Sequence, residues 1–96
     1  MTVFIATLKV KDDKKADFER LQTELSELTH ANEPGTLVYD VVRHRDKDGV
    51  YVVYARFRDE AAFDHHQTTD FHDRLVPPIM ECLGAEMELE FFDFVA

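Results

Sequence analysis

The chain is poor in the residues that most often announce a function. A single cysteine, Cys82, in 96 residues excludes an intrachain disulfide, and no CxxC motif exists. Three glycines leave no material for a loop that cradles phosphate, and neither a P-loop nor a GxGxxG is present. Tryptophan is absent. Basic residues are scarce: 11 Lys and Arg against 20 Asp and Glu give a formal net charge of −9. Without a cationic field, nucleic acid and anionic membranes are excluded as partners. No apolar run approaches the ~20 residues that span a bilayer. Met1-Thr2-Val3-Phe4-Ile5 passes directly into a strand-like pattern, without the basic and long apolar regions of a leader. The expectation is a cytoplasmic protein with one domain over residues 1–96.

What remains is ample for a core, since 45% hydrophobic and 11% aromatic residues are too many for a disordered chain. Val3 to Val10 alternates as a strand, with Phe4, Ala6 and Leu8 on one face and Val3, Ile5 and Thr7 on the other. From Lys14 to Ala31 the residues Phe18, Leu21, Leu25 and Leu28 form one helical stripe, the other faces being Glu, Lys, Gln, Thr and Ser. Glu33-Pro34-Gly35 turns the chain. Thr36–Arg45 and Val50–Arg58 read as strands joined by the tight reversal Asp46-Lys47-Asp48-Gly49. Asp59 caps a short helix with Ala62, Phe63 and His66 inward. A second helical piece runs from Thr69 or Asp70 towards Val76, where Pro77-Pro78 stops or kinks it. Ala85–Val95 is the last strand.

The order β-α-β-β-α-β predicts an α+β fold, the ferredoxin-like two-layer sandwich. Its helices cover one sheet face, yet both faces carry apolar groups. On the second face stand Val3, Ile5, Val50, Val52 and Tyr54, joined in a simple register by Leu37, Tyr39, Val41, Phe92 and Phe94. Leaving that face wet costs ~25 cal/mol per Å² of apolar surface. A homodimer closed through the open sheet face, a dimeric α/β barrel, is the expectation; partial cover by loops is the plainer alternative.

Three histidines gather where the short helix breaks. His65 and His66 are adjacent and diverge by about 100°, His66 and His72 are six apart, and HExxH is missing, so no metal site is expected. His66 follows Phe63 by three on the inward stripe, which places an imidazole at the helix–sheet boundary. There it can act as a base or hydrogen-bond partner, or serve only as a satisfied core histidine. Phe57, Phe63 and Phe71, with Phe91 and Phe18 as further candidates, can line an apolar cavity or simply fill the core. Arg43 and Arg74 are candidate anion contacts. Cys82 lies after the Pro-Pro break, with nothing nearby to activate it. Thr69 reads first as a helix N-cap.

Several of these features together resemble the antibiotic biosynthesis monooxygenase family. They are the opening strand before an acidic turn, Glu33-Pro34-Gly35 followed by Leu37 and Tyr39, and the passage from Tyr54 to Phe71 with His66-x-x-Thr69. Departures are also plain. The Trp frequent in the family falls on Phe57, the usual second His falls on Phe71 with His72 one place on, and the Asn of the anthrone oxygenases falls on Val53. Thr7 stands at the Asn position of haem-degrading relatives, which argues against haem degradation.

The resemblance implies a monooxygenase acting without metal, flavin or other cofactor on a quinol-like or polyphenolic small aromatic compound, with dioxygen as co-substrate. His66 would be the catalytic base, while Phe57, Phe63, Thr69, Phe71 and His72 would line or shape the substrate site. Two alternatives stay open. One is an isomerase on the same scaffold, acting on a phosphorylated autoinducer-2 product through Arg43, His65 or Arg74. The other is a non-catalytic small-molecule-binding or stress-response dimer.

Overall fold

The computed structural model describes residues 1–96. Strand β1 (Thr2–Lys9) leads through a short 3-10 turn at Asp12–Lys14 into helix α1 (Lys15–Asn32). Strands β2 (Thr36–Arg43) and β3 (Val50–Phe57) form the hairpin. Helices α2 (Glu60–His66) and α3 (Asp70–Glu81) precede the last strand, β4 (Glu88–Asp93). The four strands form one antiparallel sheet in the order β2-β3-β1-β4, and the helices pack on one face of it. This is the ferredoxin-like arrangement expected from the pattern.

Local chemistry explains the boundaries. Gly49 takes φ 76° at the hairpin turn, a conformation that costs a side chain clash in other residues, and its carbonyl accepts from the Val10 N–H at 2.8 Å. Gly35 is needed for space: a Cβ there would stand 2.7 Å from the Ala62 Cβ, so the turn after α1 presses directly on α2. The Asp59 carboxylate accepts the Ala62 N–H at 2.9 Å, an N-cap that satisfies an orphan donor. Asp59→Ala is expected to cost about 1 kcal/mol and lower Tm by roughly 4–8 °C in a domain of this size. Asp59→Asn should retain nearly all of it, as thermal unfolding of the two variants will show.

Three expectations need correction. Helix α3 does not stop at Val76; it runs on to Glu81 with Pro77 and Pro78 inside it. Prolines remove two helical N–H bonds, but burial of Leu75, Ile79 and Cys82 offsets that loss. The last strand is shorter than 85–95. The third correction concerns β2, where the register slips between Thr36 and Val38. Thr36 lies opposite Phe57 and Val38 opposite Arg56, so Leu37 is the extra residue of a bulge. One inserted residue moves every later side chain to the other face. Tyr39 and Val41 therefore pair with Ala55 and Val53 beneath the helices, rather than on the open face.

The open face still carries Ile5, Val52 and Tyr54 half-buried, with Val42 and Phe92 55% and 43% exposed. Phe94 lies under the Arg56 guanidinium, 4.3 Å from carbon to ring centre. The chain itself supplies no second layer there.

Candidate active site

Between the helices and the sheet lies a cavity of about 270 Å³ with a mainly apolar wall. Phe4, Phe63 and Tyr39 contribute rings to it, and His66, His72, Gln22 and Gln67 contribute polar groups. A larger depression, between α1 and β2, is polar and wide open. Two of its charged groups pair with each other: Glu19 accepts from Arg43 at 3.0 Å, and also from the Tyr51 hydroxyl at 2.5 Å. That depression lacks the enclosed apolar wall a small organic ligand requires.

His66 is the last residue of α2 and is buried, as is Ala62 one turn before it. Its Nδ1 lies 2.8 Å from Glu33 Oε1 and 3.2 Å from Oε2. Glu33 is itself buried, and Oε1 also accepts the Thr36 hydroxyl at 2.9 Å. An ionised carboxylate can only accept, so Nδ1 is the nitrogen that donates to Glu33, and Nε2 faces away from that bond. The ring is wedged between Tyr39 and Phe57, each 5.3 Å away between ring centres. This is a histidine with its tautomer set and its orientation held.

His72, in the first turn of α3, meets His66 nearly edge-on with ring centres 5.0 Å apart. Burial, and secondly the neighbouring His66, hold the His72 pKa below its ordinary value, which keeps this ring neutral at neutral pH. Burial and then the Glu33 charge push the Tyr39 phenol far up, so it remains a protonated donor. Gln22 is 4% exposed, and its Oε1 is buried without a hydrogen-bond partner. Such a group costs about 1–3 kcal/mol.

Of the residues singled out in the sequence, Phe63, His66 and His72 line the cavity. Phe57 is fully buried behind that wall, 5.3 Å from Phe63 as from His66, and stacks on Phe4 at 5.9 Å. Phe71 packs partly buried against the core, away from the cavity wall. Thr69 caps α3 by accepting the His72 N–H at 3.3 Å, and its hydroxyl donates to the His66 carbonyl at 3.3 Å. Phe18 is buried beside Tyr51, at 4.6 Å, while Phe91 is half-exposed, edge-on to Phe63 at 5.4 Å. Arg43 and Arg74 are held at the surface by Glu19 and Glu24.

Glu33, Tyr39 and Gln22 join the site from outside the sequence reading. Gln22 had a signal: it lies four after Phe18 and three before Leu25, inside the helical stripe. Tyr39 needed the bulge. Glu33 reads as part of a turn, and only the fold brings it against a histidine 33 residues later. No group of three or more His, Cys, Asp or Glu side chains is placed to hold a metal ion.

Residues 1–77 match the family model of the antibiotic biosynthesis monooxygenases, and the chain belongs to that family. A solved structure provisionally assigned to these enzymes, from Caulobacter crescentus, superposes with a TM-score of 0.95 at 33% identity, covering 99% of this chain and 90% of that one. A second, described as an antibiotic biosynthesis monooxygenase, gives 0.91 at 30% identity over the whole of both chains. An uncharacterised protein of Synechocystis sp. is 27% identical over 90 residues, which is 94% of this chain. The chain spans 60% of the length of that curated relative.

Proposed function

We propose that this chain is a cofactor-independent monooxygenase that oxidises a quinol-like or polyphenolic aromatic compound with dioxygen. The observation that carries this reading is the Glu33–His66 pair at the wall of an apolar cavity, with Nε2 free of the Glu33 bond. Family membership and the full-length structural likeness support it.

In this reading a phenolic hydroxyl gives its proton to His66 Nε2, and Glu33 stabilises the imidazolium that forms. The phenolate is electron-rich enough to reduce dioxygen by one electron. Recombination of the radical pair forms a carbon–oxygen bond and a peroxide. The O–O bond then breaks with loss of water, leaving a new carbonyl on the ring. One oxygen atom of O₂ enters the product, the other leaves as water, and the substrate supplies both electrons. No separate reductant is needed. Phe63 and His72 would bound the aromatic ring, Tyr39 would donate to an oxygen of the substrate, and Phe57 would brace His66. Thr69, with Phe71 after it, would set the α2–α3 turn. No Lys or Arg lines the cavity, which disfavours the phosphorylated substrate of the isomerase reading.

We also propose that the working form is a homodimer joined through the open sheet face, on the strength of the apolar residues left there. The reading as an oxygenase is tested by oxygen uptake on hydroquinones and anthrone-like phenols without added flavin or metal. Uptake above the autoxidation blank that His66→Ala reduces by about 10²–10⁴-fold is expected. Uptake no faster than the blank with any compound, or equal rates for the variant, would sink it.

A further inference from the structure

The cavity opens between α3 and β4, because Met80 and Leu89 line it and yet are 41% and 43% exposed. Next to Leu89 on the same face of β4 stands Phe91, 54% exposed, edge-on to Phe63 at 5.4 Å and to Phe4 at 6.4 Å. The strand register explains the alignment: Leu89 pairs with Ala6 and Phe91 with Phe4, and both partners line the cavity. An apolar strip therefore leaves the cavity mouth and runs out along β4. It lies on the helix side of the sheet, so a dimer closed through the opposite face leaves it open. Apolar surface of this kind costs solvation free energy until something covers it.

We infer that the strip holds an uncharged hydrocarbon chain carried by the aromatic ligand, the cavity taking the ring and Leu89 and Phe91 the chain. Three observations favour this occupant. The strip is continuous with the cavity. The cavity itself, about 270 Å³, is smaller than the roughly 300–1,000 Å³ of most small-molecule sites, so a ligand larger than its ring system has to extend through the mouth. No Lys or Arg lines the cavity and the net charge is −9, so a chain ending in a carboxylate finds no partner. Leu89 and Phe91 are two residues apart, ~6–7 Å along the strand, which is the span of about five methylene groups. The flexible thioether of Met80 can adapt to the chain where it leaves the mouth. The inference rests on the oxygenase reading only in taking this cavity as the aromatic site.

The test is equilibrium binding of 4-alkylphenols, from methyl to hexyl, under anaerobic conditions where no turnover occurs. Affinity of the wild type is expected to rise roughly two- to fourfold with each added methylene. Phe91→Thr, which keeps a strand-forming residue and removes the ring, is expected to weaken hexylphenol binding about tenfold and leave methylphenol binding unchanged. Leu89→Thr serves in its place if Phe91→Thr folds poorly. Val42→Thr alters an equally exposed apolar residue on the opposite sheet face and is expected to leave the whole series as it is. A flat series in the wild type, or a series that Phe91→Thr and Leu89→Thr both leave unchanged, overturns the inference. So does equal weakening by Val42→Thr, which would mean adsorption to any apolar surface. Conversion of a dimer to monomers by Phe91→Thr, read by sedimentation velocity, would assign the strip to a second subunit and overturn it too. Failure of oxygen uptake would remove the oxygenase reading and leave the chain-length dependence standing. A flat series would leave oxygen uptake on ligands without a chain intact.

Discussion

Glu33→Gln is expected to reduce oxygenation nearly as far as His66→Ala, by about 10²–10⁴-fold, because it reverses the tautomer of the base. In the native site the carboxylate accepts from His66 Nδ1 at 2.8 Å. An amide of the same shape can turn its NH₂ to His66, and Nδ1 then becomes the acceptor. The ring proton moves to Nε2, where the phenol proton has to go. The imidazolium formed on proton transfer also loses its counter-charge in a buried place. The substitution keeps the volume, and the Thr36 hydroxyl can turn from donating to the carboxylate to accepting from the amide, so the chain should still fold. The measurement is kcat and KM for oxygen uptake beside the circular dichroism melt. A fall in kcat with KM and the melt little changed is the expected pattern. Full activity in Glu33→Gln would mean that Glu33 only fills a buried position.

Val52→Glu is expected to convert the proposed dimer into monomers. Val52 sits near the middle of β3, opposite Thr7 on one side and Val42 on the other, on the face the helices leave uncovered. In a monomer it is half-exposed, and a charge there costs little beyond β-propensity. In a dimer closed through this face, each subunit would bury an unpaired carboxylate, at about 3–5 kcal/mol. With two such carboxylates per dimer, a cost near the middle of that range for each raises the dissociation constant on the order of a millionfold. Sedimentation velocity at micromolar concentration should show the wild type as a dimer and Val52→Glu as a monomer. A monomeric wild type would defeat the proposal. So would a variant that stays fully dimeric.

The two substitutions probe parts of the molecule that differ in how openly the sequence displays them. Ile5, Val52, Tyr54 and Phe92 declare an uncovered apolar face because strand alternation puts them there whatever the rest of the chain does. His66 likewise falls inward from its spacing to Ala62 and Phe63. Glu33 does not declare itself. Beside Pro34 and Gly35 it reads as a turn residue, and its purpose depends on the end of α1 crossing the end of α2. That crossing is permitted by Gly35, where a Cβ would meet Ala62. The aromatic residues divide in the same way. Periodicity puts Phe57, Phe63 and Phe71 inward, but inward includes a cavity wall, the layer behind it and the core beyond. Only packing separates Phe63 from the other two.

Sequence alone was sufficient for the element order, the four-stranded sheet with helices on one face, the inward position of His66, and the features shared with the family. All of these follow from residue periodicity and turn chemistry, which act over a few neighbours. Tertiary structure decided which polar groups meet: Glu33 with His66, Tyr39 moved beneath the helices by a bulge at Leu37, and Gln22 left unpaired in the cavity wall. It also carried α3 through Pro77 and Pro78, because the burial of Leu75 and Ile79 outweighs the two lost backbone bonds. The division has one physical cause. Local patterns say which way a side chain points, whereas a site depends on distances between residues far apart in the chain, and those are set only when the layers pack.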